Sequence, residues 1–337
     1  MAGLGRLLAW AWVGSACAGW LPGVWVVVAQ AWWWLATSCV VLGVALMWPP
    51  RVALREAGWG LLLLLVGVAG WIPRMPGTVT WSCQPLLWML AGVAVVERWG
   101  WQPIRQAVIW WAWAQVALWP LSWFGVTLAD EGWTGTLGRR AVLGVWLAFA
   151  SLWSSGWRAW ALAGFSLATG SLSGVLAIVR LLPIQWRHPL NWAGAVSVLV
   201  MTARWWGARL TERWEVWMQA VALVPTHWMA GWGLQQLPVG FQEAIWNPQI
   251  GTRWSPILDL HNTWLDVLVR GGAVGALCLL VVMGWAAWRS AQTQTWWTWL
   301  AACWAMTWQS VGAQPALMVV AMGWLASLCQ PRRLYVA

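Results

Sequence analysis

The sequence predicts an all-α protein: a polytopic transmembrane bundle of about twelve helices with one large loop late in the chain. Three observations carry that prediction. Of 337 residues, 61% are hydrophobic and only 8% charged, too few charges for the surface of a soluble domain. Apolar stretches recur along almost the whole chain, many near the ~20 residues needed to cross ~30 Å of hydrocarbon. These runs are continuous rather than alternating, which excludes a β-barrel and leaves helices to satisfy the backbone in lipid.

The apolar run from Leu7 to Trp48 is too long for one crossing, and Leu21-Pro22-Gly23 divides it into two helices. Because that run continues so far, the start of the chain does not read as a cleaved signal peptide. Arg51 and Arg55 follow. A third helix covers 57–72 and ends at Pro73-Arg74-Met75-Pro76; a fourth covers 79–96. After the charged stretch Glu97 to Arg105, a fifth covers 107–124, and 125–140 is a polar loop. Residues 141–182 are apolar but interrupted at 154–158 and 169–174. Three short helices, near 141–155, 159–170 and 173–186, fit best; one long helix in place of the last two is the alternative, and it reverses everything downstream. A ninth helix covers 189–203. Residues 204–260 form the large loop with short helices, and 261–337 hold three final helices, starting at His261, 294 and 315.

Forty-three Trp stand against four Phe and one Tyr, and all nineteen basic residues are Arg. A G-rich coding strand, pushing Phe towards Trp and Lys towards Arg, accounts for both; sugar stacking on a few loop Trp rings is the alternative. The six Cys lie in apolar stretches without CxxC spacing or a His partner, so they read as small buried hydrophobes. There is no phosphate loop and no His/Asp/Glu cluster with metal spacing; neither cofactor nor metal is expected, nor a nucleic-acid partner.

Arg placement sets the orientation. With both termini inside, Arg6, Arg51, Arg55, Arg98, Arg105, Arg158, Arg187, Arg289, Arg332 and Arg333 all fall on the cytoplasmic side. The large loop then lies outside. It opens "TARWWGARLTERWEVW", with Arg204, Arg209 and Arg213 close together. The positive-inside bias tolerates that in a long loop; the functional reading is a site for an anionic group, since the guanidinium fork suits phosphate.

"LDLHNTWLDVLVRGGAVG" places His261 where the large loop turns into a membrane helix. Asn262 or Asp259 caps that helix. Leu265, Leu268, Gly272 and Gly275 follow at helical spacing, with Gly permitting close helix contact. A helix N-terminus disfavours imidazolium, and a neutral imidazole near the membrane surface can take a proton from a hydroxyl.

"HNTWLDVLVRGGAVGALCLL" resembles the His-Asn-x-x-Leu, later Gly-x-x-Gly, signature of the O-antigen ligase and O-antigen polymerase superfamily. "RWEVWMQAVALVPTHWMAGWGLQQL" is similar to the family segment in which an Arg precedes a Trp-containing helix ending in Gly-x-Gly, here Arg213, Trp217 and Gly231-Trp232-Gly233. "TGTLGRRAVLGVWLAFA", from Thr134, resembles the family's Gly-Thr stretch that opens a membrane helix. Together these cover about residues 130–290. The resemblance implies a GT-C-like fold in the bacterial inner membrane. It implies transfer of a glycan from undecaprenyl diphosphate to an acceptor hydroxyl, on lipid A core or on another glycan, at the periplasmic face. By carry-over His261 is the base or the acceptor-orienting residue and Arg213 holds the diphosphate, with Asn262 beside them. Arg139, Arg140, Arg253 and Arg270 are further substrate-binding candidates, and His227 reads as structural. The family's Ser-Arg pair is missing: the chain reads Thr169-Gly170-Ser171-Leu172, so Arg139, Arg140 or Arg180 would have to substitute. A non-catalytic transporter or flippase is the competing reading; it needs charges or broken helices near the midplane, and Arg180 and Arg270 are the charges placed inside predicted spans, both able to snorkel.

Overall fold

The computed structural model describes residues 2–17, 36–44, 91–120, 140–181, 214–232, 262–308 and 315–328, apart from single positions 42, 93, 97, 172, 215 and 294. Among them there are helices and turns and no strand. In chain order the main helices are α1 (Ala2–Cys17), α2 (Gln102–Ala117), α3 (Arg140–Leu152), α4 (Trp157–Ala168), α5 (Ser173–Leu181), α6 (Thr263–Thr293), α7 (Trp296–Trp308) and α8 (Pro315–Leu328). Residues 216–223 are also helical and run into a 3₁₀ turn, Val224–His227. The helices predicted at 57–72 and 189–203 lie outside the described residues.

At the centre stands α3. Its residues 142–151 are all buried, so this helix is apolar on every side and packs on α2, α4, α5, α7 and α8. Its Gly144 leaves the space that the turn between α4 and α5 occupies: a Cβ there would lie 2.8 Å from Ser171 Oγ. The hydroxyls of this seam are satisfied by backbone carbonyls. Ser166 Oγ donates to Gly144 O at 2.6 Å, Ser151 Oγ to Ala159 O at 2.7 Å and Thr169 Oγ1 to Ser166 O at 2.6 Å. Hydroxyls bonded this way bridge helices without stranding a polar group in an apolar layer.

That seam decides the ambiguity at 141–186 in favour of three short helices. Gly170 adopts φ +77°, which ends α4, and α5 folds back so that Gly174 lies against the backbone of Leu167. With twelve residues between Gly156 and Thr169, α4 is about 18 Å long at 1.5 Å per residue, less than ~30 Å of hydrocarbon.

Side-chain contacts gather the ends that Arg placement assigned to one side. Arg105 Nε donates to Trp153 O at 2.8 Å, just past the end of α3. Trp153 Nε1 donates to Thr298 Oγ1 at 3.3 Å, at the start of α7. Arg289 Nε donates to Leu328 O at 2.8 Å, in α8. At the end of α3 the Arg105 guanidinium satisfies an orphan carbonyl and meets the negative end of the helix dipole. The start of α2, the end of α3 and the start of α7 are thereby joined at one end of the packing. Some boundaries differ. Helix α1 starts at Ala2, ahead of the apolar run from Leu7. Helix α6 runs to Thr293, past Arg289, before which its end is predicted. Helix α2 starts at Gln102, five residues before its predicted start, with Pro103 in its first turn. Hydropathy marks what enters an apolar layer, whereas Pro at a first turn starts a helix wherever the backbone allows it.

Part of the Trp excess is used as apolar volume. Among the described residues, Trp12, Trp146 and Trp324 are buried with indole Nε1 atoms that have no hydrogen-bond partner. A buried indole N–H ordinarily finds an acceptor. These rings do what Phe would do, whereas the indole N–H of Trp153, Trp232 and Trp299 donates.

Candidate functional site

In the described residues, α6 is the helix long and apolar enough to cross a membrane. It is not continuous. Gly272 has φ 61° and ψ −161°, and divides α6 into a short first half and a long second half. From Ala273 to Thr293 the second half runs 21 residues, about 31 Å at 1.5 Å per residue, one hydrocarbon thickness.

The first half is the stretch opened by the His-Asn motif. Asn262 Oδ1 accepts the Leu265 N–H at 3.1 Å, and its carbonyl accepts the Asp266 N–H at 2.8 Å. Asn262 is thus the N-cap, which decides between it and Asp259. One turn later Asp266 meets Arg270: Nε donates to Oδ1 at 2.6 Å, and both residues are only 5% exposed. Spacing of four residues puts them on one helix face.

A break in a helix frees backbone groups on both sides, and here a second segment takes them up. The turn after the 3₁₀ segment lies against the break. Trp232 N donates to Val269 O at 2.9 Å, Ala273 N to Trp228 O at 2.7 Å and Val274 N to Met229 O at 3.3 Å. The carbonyl end of the first half and the amide end of the second are both satisfied, as an apolar environment requires. Two glycines make the approach possible. Gly231 has φ +69°, and a Cβ on it would lie 2.5 Å from Gly272 N; a Cβ on Gly272 would lie 2.6 Å from Gly231 N. Both backbones also need the left-handed region that glycine tolerates. Gly231 of the Gly-x-Gly segment and Gly272 of the Gly-x-x-Gly segment are therefore the two halves of one joint.

Around the joint, helix 216–223 packs on the first half of α6 through Val216, Ala220, Leu223, Leu265 and Val269. Trp232 Nε1 donates to Leu223 O at 2.9 Å and its ring meets His227 edge-on, with centroids 4.2 Å apart.

Of the residues singled out in the sequence, Asn262 and Arg270 fall on one half-helix. Arg140 opens α3. His261, Arg213, Arg139 and Arg253 lie outside the described residues. The expectation that Arg270 can snorkel is corrected: its side chain is buried and paired with Asp266 on the short first half of α6. Two features went unread in the sequence, the Asp266 partner and the break. The first had a signal, an acidic residue four before a basic one; the second had only paired glycines, whose joint cannot be seen along one dimension.

No family model matches the chain. Over 106 residues it is 34% identical to apolipoprotein N-acyltransferase of Thermosynechococcus vestitus; the match covers 31% of this chain and 19% of that protein. The chain therefore spans about a fifth of the relative's length.

Proposed function

We propose that the chain is a multi-pass enzyme of the bacterial inner membrane with both termini cytoplasmic. It moves a glycan from an undecaprenyl-diphosphate carrier to an acceptor hydroxyl at the periplasmic face, as an O-antigen ligase or polymerase does. One observation carries the reading: the residue after His261 is the N-cap of a short half-helix, and that half-helix ends at a protein-filled break, beside a buried guanidinium.

The chemistry follows from charge. The acceptor oxygen bonds to the anomeric carbon as the bond from that carbon to the diphosphate oxygen breaks. The hydroxyl proton passes to His261. The charge that develops on the leaving diphosphate is met by Arg213, with Arg139, Arg140, Arg253 and Arg270 as further cations. A positioned His contributes about 10²–10⁴-fold. The acceptor, lipid A core or a further glycan repeat, separates ligase from polymerase.

The break bears on the transporter alternative. Transporters place discontinuous helices at the midplane, lining a cavity. Here a turn of the same chain fills the break through three backbone hydrogen bonds. The local match to an N-acyltransferase supports a second enzyme reading, transfer of an acyl group to an amine at the membrane surface.

The test is transfer by His261→Ala protein reconstituted in vesicles with a lipid-linked glycan donor. The expected outcome is an intact, membrane-inserted protein with no transfer. Wild-type transfer by this variant removes His261 from the chemistry. Transfer of a labelled acyl chain from phospholipid, with none of glycan, favours the acyl reading.

A further inference from the structure

We propose that the segment from Trp214 to Met229 is an interfacial lipid anchor, seated with its outer side chains in the headgroup–acyl boundary of the outer leaflet. The inference rests on the reading that the second half of α6 crosses the membrane; it does not depend on which group the enzyme transfers.

Helix 216–223 uses one side for protein, through Val216, Ala220 and Leu223. Its other side carries Met218 and Val221, preceded by Trp214 and followed on the turn by Trp228 and Met229, all exposed. Trp214, Met218 and Val221 recur at helical spacing, so they form one stripe. A loop helix in water has no use for large apolar side chains on its free side, and a contiguous patch of this kind marks a surface that is covered.

The occupant is identified by continuity and by depth. Met229 O accepts the N–H of Val274, so the patch adjoins the first turn of the spanning half of α6. There the exposed residues continue as Val274, Leu277, Val281 and Trp288, one stripe facing the same apolar medium. At the lower end, Arg289 stacks its guanidinium over the Trp288 ring at 5.9 Å. Trp and Arg paired in this way are interface residues. Val274 is fifteen residues above Arg289, about 22 Å at 1.5 Å per residue. In ~30 Å of hydrocarbon that leaves Met229 roughly 8 Å below the outer boundary, within the 5–10 Å at which interfacial helices sit. Trp and Met suit that depth, one amphipathic and the other flexible enough to fill between acyl chains. The anchor would then hold the turn that fills the break, tying the half-helix opened by His261 to the membrane surface.

The experiment places a photo-crosslinking benzophenone side chain at Met218, at Val221 or at Leu277 in the full chain. The protein is held in nanodiscs of phosphatidylethanolamine and phosphatidylglycerol, and adducts are read by intact mass. Lipid adducts of comparable yield at all three positions are expected. Adducts at Leu277 with none at Met218 and Val221 overturn the anchor and leave α6 in lipid. Lipid adducts at none of the three remove the spanning assignment as well. Protein adducts in place of lipid at Met218 show that another polypeptide covers this surface, and also overturn the proposal.

Discussion

Replacing Gly272 by Ala tests the joint at the centre of the site. The new Cβ would overlap the Met229 carbonyl and approach Gly231 N to 2.6 Å. Both are backbone, so no side chain can swing aside. The backbone at φ 61° and ψ −161° is a region that costs a non-Gly residue about 1–3 kcal/mol. Relieving the overlap parts the two segments and weakens three backbone hydrogen bonds, each about 0.5–1.5 kcal/mol net. Together the loss is up to about 2.5–7.5 kcal/mol if all three bonds are given up. Gly284, on the spanning half of the same helix, is the control. A Cβ there meets nothing within 4 Å, and Ala in a helix interior stabilises by up to about 1 kcal/mol over Gly. The same substitution twelve residues apart should therefore carry opposite signs. Unfolding of the purified protein by SDS in mixed micelles, followed by circular dichroism, reads both. If Gly272→Ala unfolds within about 1 kcal/mol of wild type while Gly284→Ala behaves as expected, the interlocked joint is wrong.

Arg270→Ala leaves a buried carboxylate without this partner and should destabilise by about 3–5 kcal/mol, whereas replacing both Asp266 and Arg270 by apolar residues of similar volume should be nearly neutral; the double variant also separates folding from function, because loss of transfer by a stable double variant marks the guanidinium as a substrate contact. Asn262→Ala should cost about 1 kcal/mol through the lost cap, and Asn262→Asp should retain stability in the same unfolding measurement. Trp146→Phe should be close to neutral, since the lost ring volume is offset by removing an N–H whose stranding costs about 1–3 kcal/mol. Trp153→Phe, which gives up a bond to Thr298, should cost more, so equal stability of the two variants would falsify the account of Trp as idle volume.

Much of the helical architecture was legible in the chain because continuous apolar runs report on what is buried. The end of α3 at Leu152 and the start of α7 at Trp296 fall within a few residues of their predicted positions. The interruption at 169–174 announced itself through Gly and Ser, and the three-helix reading held because Gly170 and Gly174 turn the chain back there. Where hydropathy was asked about helicity instead of burial, as at Gln102, it erred. The site was legible in part. Asn262 was recognisable as a cap because capping is a local event, decided within one turn. The Arg270 side chain was given the wrong direction, since hydropathy cannot show that it turns inward to Asp266.

Composition and periodicity alone determined that this is a helical protein built to bury apolar surface, where its turns fall, and which helix the His-Asn motif opens. Those are properties of neighbouring residues and of a solvent that acts on each segment separately. Only the tertiary structure decided that Gly231 and Gly272 meet, that Arg270 turns inward to Asp266, and that a turn forty residues upstream completes the hydrogen bonds of a broken helix. Such pairings depend on two backbones approaching within van der Waals distance, and the spacing of residues along a chain carries no record of that approach.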